Sequence, residues 1–265
     1  MSNWKSAYCE TNHIRLHYTR TGGNKPPLLL LHGLMTNGLC WSNLARAMEK
    51  DYDVIMPDAR GHGHSGKPDQ GYQYEDHAND IIDFIQTLQL PAPILLGHSM
   101  GGMTAAVVAS RAPSLLRAVI LADPTFLSPA VQQEVYESDV AVQHQKILDQ
   151  SPEALITAGR LRHPHRSPEM IELYAQARLQ TSLAAFDVLR PPNPDYQQLI
   201  RQINIPALLL SGDKGVVSVE VAEALQQVNP LLQTALIRDA GHSLHMDQPA
   251  QFIERVKGFL NLITY

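Results

Sequence analysis

Six short apolar runs limit what this chain can fold into. They are "PLLLLHG" (27–33), "YDVIMPD" (52–58), "APILLGHS" (92–99), "LRAVILAD" (116–123), "IPALLLSGD" (205–213) and "QTALIRDAGH" (233–242). Most are apolar at consecutive positions, the pattern of strands buried on both faces. Segments of helical period lie between them. In "YEDHANDIIDFIQTLQL", Ala78, Ile81, Ile82, Ile85 and Leu88 share one face, with Asp76, Asp80 and Asp83 largely off it. In "QPAQFIERVKGFLNLI", Phe252, Val256, Phe259, Leu260 and Ile263 form one stripe. Strands that alternate with helices pack as a mostly parallel sheet covered on both faces, an α/β fold. The stretch "HIRLHYTRTGG" alternates instead and predicts an antiparallel edge ending in a Gly-Gly turn.

The rhythm fails over residues 126–195. This segment contains helical patterns and no convincing strand, with Pro124, Pro191, Pro192 and Pro194 punctuating its ends. The expected organisation is a core of residues 1–125 and 196–265, with 126–195 as a helical lid. An insert leaving a strand's carboxyl end would lie over the site expected there. A length of 265 residues suits one large domain, or a core with an inserted subdomain.

Charge and targeting signals narrow the class. The net charge of −5 is mild and spread out, which predicts neither nucleic acid nor an anionic membrane as partner. No apolar run approaches the roughly 18 residues of a membrane span. The first twenty residues lack the apolar stretch of a secretory leader. Cys9 and Cys40 have no metal-ligand spacing and read as reduced, buried thiols, so a cytoplasmic location is expected.

One run carries chemistry. "LLGHSMGG" is Gly-X-Ser-X-Gly after a buried-type strand and before an apolar helix, "MGGMTAAVVAS". That is the context of a nucleophile elbow, a sharp turn that holds a serine hydroxyl in the pocket. Glycines two before and two after Ser99 remove side chains that would collide there. The N–H of Met100, at the helix start, faces the place where an oxyanion would develop. A second strand ends in His32-Gly33, and Gly33 lets the chain aim the N–H of Leu34 at the same place. The side chain of His32 reads as structural.

With "HGLMTNG", "MPDARGHGHS", "GHSMGG" and "AGHS" in this order, almost the whole chain resembles the α/β-hydrolase superfamily, more closely its lid-bearing esterase-like branch. The resemblance implies an enzyme without metal or organic cofactor that hydrolyses esters, lactones, amides or activated C–C bonds. It implies Ser99 as nucleophile and His242 as base. His242 ends a strand at a Gly-kinked turn, on the face expected for Ser99. His245, three residues on, is the rival base. His62, His64, His98, His144, His163 and His165 read as structural or solvated. Asp58 and Arg60 read as organisers of their loop.

The resemblance breaks at the acid. The family pattern Gly-Asp-X-Asp after the penultimate strand would put a carboxylate at position 215, but the chain reads "SGDKGVV", with Gly215 there. Two aspartates could substitute. Asp213 lies in the same loop, two residues early. Asp123 ends the strand after the nucleophile strand, where burial would be costly unless the carboxylate were hydrogen-bonded. Strand-end geometry favours Asp123.

The expected activity is cleavage of a small, mostly apolar carboxylic ester or lactone through an acyl-enzyme. Leu34 and Met100 would supply the oxyanion hole. Haloalkane dehalogenase and epoxide hydrolase chemistry is not expected, because both need a carboxylate at position 99. Two alternatives remain. One is a C–C bond hydrolase of ring-cleavage dienoates, for which the basic stretch "GRLRHPHR" leaves room. The other is a ligand receptor on a hydrolase scaffold.

Overall fold

All six apolar runs become strands of one eight-stranded sheet in the computed structural model, which describes residues 4–263. The strands are β1 (Lys5–Thr11), β2 (Ile14–Arg20), β3 (Pro27–Leu31), β4 (Asp53–Pro57), β5 (Ile94–His98), β6 (Ala118–Ala122), β7 (Ala207–Lys214) and β8 (Leu232–Gly241). Their spatial order is 1-2-4-3-5-6-7-8. The pairs β1–β2 and β2–β4 are antiparallel, and every pair from β4 to β8 is parallel. The first hairpin turns at Asn12 and His13, both at positive φ, upstream of the expected Gly-Gly turn. Gly22 and Gly23 lead from β2 into β3 instead.

The helices are α1 (Ser42–Met48), α2 (Tyr74–Thr87), α3 (Met100–Arg111), α4 (Pro129–Glu137), α5 (Val140–Leu148), α6 (Pro152–Arg162), α7 (Pro168–Leu179), α8 (Tyr196–Gln202), α9 (Val219–Val228), α10 (Leu244–Asp247) and α11 (Pro249–Leu260). The sheet divides the core in two, and the division follows the strand period of two. Leu29, Leu31, Leu95 and Leu209 pack with α2, α3, α8 and α9. Leu28, Leu30, Leu96 and Leu210 pack with α1 and α11 on the other face. Each such leucine is essentially inaccessible, and burial of that kind is worth on the order of 2 kcal/mol per side chain.

Asp80 departs from expectation. It lies on the buried side of α2, where its two carboxylate oxygens accept from Arg60 Nε at 2.7 Å and Nη2 at 2.6 Å. A paired guanidinium makes that burial tolerable. Asp58 and Arg60 therefore serve their loop through different partners. Asp58 accepts from the N–H groups of Gly38 and His64 and lies 2.8 Å from His17 Nδ1.

Between β6 and β7 the chain is helical, and the described residues 126–195 contain no strand. The long helical patterns break into shorter pieces. Ser138 and Asp139 separate α4 from α5, and Leu183–Leu189 winds as a 3₁₀ turn after α7. Three of these helices open on Ser-Pro, and Ser128, Ser151 and Ser167 each accept from the N–H three residues on. Serine supplies the cap, and proline fits the first helical position because it has no N–H to lose. Burial is thin: α6 has no buried residue, and α4 and α5 have one each.

Candidate active site

The carboxyl ends of β5, β6 and β8 bring three distant residues together. Ser99 follows β5 directly at φ 55° and ψ −118°, a conformation a serine adopts only under constraint. The two motif glycines impose it by close packing. A β-carbon on Gly97 would lie 2.0 Å from the Gly101 carbonyl oxygen, and one on Gly101 would lie 2.5 Å from that of Leu31. Gly33 approaches the same turn, since a β-carbon there would stand 3.2 Å from Ser99 Cβ.

The Ser99 hydroxyl lies 2.8 Å from His242 Nε2, and His242 Nδ1 lies 2.6 Å from Asp123 Oδ2. Ser99 is buried, Asp123 is wholly inaccessible and the His242 side chain is 38 % exposed, so the imidazole is the accessible member of the line. Asp123 keeps its carboxylate satisfied in the core. Its oxygens accept from the N–H groups of Val216 and Val217, both at 2.9 Å. Asp213 faces another way. Its carboxylate accepts from the N–H groups of Asp239 and Ala240 at 2.9 and 3.0 Å, which pins the end of β8 before His242.

Among the described residues, neither the Leu34 nor the Met100 N–H donates to a backbone acceptor. The Leu34 loop is held by two buried histidines. His62 Nε2 accepts from the Met35 N–H at 3.3 Å, and His32 Nε2 accepts from the Ala59 N–H at 2.9 Å. Acceptance requires neutral rings, and burial keeps them so, pushing His62 down to about 3 and lowering His32.

The sequence motifs gave no sign of several further contacts. His98 donates from Nε2 to the His242 carbonyl at 2.7 Å, with the two rings 4.8 Å apart. Burial, with His245 and His242 nearby, holds His98 well below the ordinary histidine value. His245 stands off the Ser99–His242 line. Its ring lies 4.6 Å from those of Trp41 and His98, and its Nε2 lies 3.2 Å from the Tyr174 hydroxyl of α7. Asp247 accepts from the Gly241 N–H at 3.0 Å and pairs with Arg166 at 3.1 Å. Helix–loop contacts continue on the other side, where Asn37 donates to Gln180 at 3.0 Å. For the contacts of His245 and Asp247 the sequence signal was the density of polar residues in "AGHSLHMD".

The family model described as alpha/beta hydrolase fold matches residues 26–249. The 2-(acetamidomethylene)succinate hydrolase of Mesorhizobium japonicum is 26% identical over 253 residues, covering 91% of this chain and 90% of that protein. The 3-oxoadipate enol-lactonase 2 of Acinetobacter baylyi is 25% identical over 256 residues, covering 93% of each. Among solved structures, an E-2-(acetamidomethylene)succinate hydrolase superposes with a TM-score of 0.85 at 24% identity, covering 98% of this chain and all of that one.

Proposed function

The chain is a hydrolase of the α/β-hydrolase fold family, and from that premise we propose that it cleaves a small carboxylic ester or lactone through an acyl-enzyme on Ser99. The observation that carries this reading is the unbroken hydrogen-bonded line from Ser99 through His242 to Asp123, at 2.8 and 2.6 Å.

In this reading His242 Nε2 takes the Ser99 proton as Oγ attacks the carbonyl carbon. The N–H groups of Leu34 and Met100 receive the oxyanion. The tetrahedral adduct collapses, and His242 returns the proton to the departing alkoxide. The same histidine then deprotonates water to hydrolyse the acyl-enzyme. Asp123 holds the imidazole with Nδ1 protonated and stabilises the imidazolium. The helices of residues 126–195 act as a lid, a role supported by their contacts at His245, Asp247 and Asn37.

Ser99→Ala tests the proposal. Loss of a serine hydrolase nucleophile costs on the order of 10⁶ in kcat. Hydrolysis of p-nitrophenyl butyrate should vanish while the thermal midpoint holds, and a fluorophosphonate should label wild-type Ser99 alone. A folded Ala variant that keeps more than about a tenth of the activity would sink the reading.

A further inference from the structure

α5, α6 and α7 border a solvent-open cavity of about 560 Å³ within the helical segment. Lys146, Arg162, His163, Arg166 and Arg178 line it. Among the described residues no aspartate or glutamate does so. This concentration of cations stands out in a chain of net charge −5. Asp247 pairs with Arg166 of the wall at 3.1 Å and offsets that one charge, and Glu172 pairs at 3.5 Å with Arg160, outside the wall. Among the described residues, neither Arg162 nor Arg178 has a carboxylate within ion-pair distance.

Arg178 is the more telling of the two. It is half-buried, and burial together with the charges of Arg162 and Arg166 pushes its guanidinium below the ordinary value. Its place in the last turn of α7 suits the helix dipole. That alone does not account for a guanidinium that shares one cavity wall with two others. Helical side chains lean toward their own N-terminus, which carries Arg178 back over the Tyr174 turn and into this space.

We propose that the cavity binds a small carboxylate, gripped by Arg162 and Arg178. A guanidinium matches a carboxylate with two parallel N–H donors, and an incoming anion would relieve the repulsion among the arginines. Tyr174 lines the cavity and meets His245, whose ring lies 4.6 Å from that of His98, the neighbour of His242. The carboxylate belongs either to the substrate itself, away from the scissile bond, or to a separate small acid. The first source rests on the hydrolase reading, and the second does not.

Titration of glutarate into the Ser99→Ala protein tests the site without turnover. Binding should be measurable below about 10 mM, weaken about tenfold or more in Ser99→Ala/Arg178→Gln, and be partly kept by Arg178→Lys. The thermal midpoint should not fall in Arg178→Gln, which loses a repelled charge. The second arm compares kcat/KM for mono-p-nitrophenyl glutarate and p-nitrophenyl valerate, which differ in the distal carboxylate. A preference of about tenfold for the charged ester, lost in Arg178→Gln, assigns the site to the substrate. Glutarate binding without that preference assigns it to a separate acid. Absence of glutarate binding, or binding indifferent to Arg178→Gln, overturns the site. Failure to hydrolyse either ester counts against the hydrolase reading and leaves the titration to stand.

Discussion

Gly215 packs against the carboxylate of Asp123: a β-carbon built on the glycine would stand 2.7 Å from Asp123 Oδ1 and 2.9 Å from Cγ. The position where the family pattern carries its acid thus borders the space filled by an acid from β6. An aspartate at both places would press two carboxylates together in a buried site, and like charges at that range cannot both ionise cheaply. The missing side chain at position 215 and the burial of Asp123 are one arrangement.

Gly215→Ala should therefore lower kcat by about tenfold or more, with KM little changed, because it displaces the partner of His242 and leaves the substrate pocket alone. Steady-state kinetics on p-nitrophenyl butyrate give the answer. An unchanged kcat would mean that the loop after β7 yields without disturbing Asp123.

Exchanging carboxylate for amide separates the two aspartates. Asp123→Asn should reduce kcat by about 10⁴ with the fold intact, the scale seen when a serine protease triad loses its acid. Asp213→Asn should cost less than about tenfold, since its oxygens serve only the Asp239 and Ala240 N–H groups. The reverse order would move the acid to Asp213.

Acid should destabilise the protein earlier than its carboxylates alone would predict. His62 titrates near 6.5 when unfolded but is pushed down to about 3 in the fold, so the unfolded chain binds the proton first. The stability this neutral ring contributes is complete above about pH 6.5 and drains away as pH falls toward 3. His62→Gln should flatten the pH dependence of urea unfolding between about pH 4 and 6, by up to about 1.4 kcal/mol per pH unit. A slope identical to wild type would show that His62 is not held neutral.

The Arg60–Asp80 pair gives a stability test remote from Ser99. Asp80→Ala leaves a buried guanidinium without its carboxylate and should cost about 3–5 kcal/mol, read from denaturant unfolding. A cost below about 1 kcal/mol would mean that water reaches Arg60.

Sheet and elbow were legible because each rests on a local pattern. Consecutive apolar residues gave the buried strands, and Gly97 and Gly101 gave the turn at Ser99. The buried Asp80 was not legible, because helical periodicity records polarity and is blind to a partner twenty residues upstream. The breaks at Ser138 and after Leu179 were hidden by sequences that favour helix on both sides. Strand-end geometry already favoured Asp123 over Asp213, but the contacts that hold the Asp123 carboxylate, the Val216 and Val217 N–H groups, belong to no residue type and left no trace in the sequence.

That last contact bears on how the chain can vary. What Asp123 asks of positions 216 and 217 is main-chain hydrogen, which nineteen of the twenty amino acids supply. At the exposed position 216 the side chain is free to drift while the carboxylate keeps its cradle, whereas Val217 is buried in the core and must stay apolar as well. Only proline would erase a donor, so position 216 can look unconstrained in every respect except one forbidden letter.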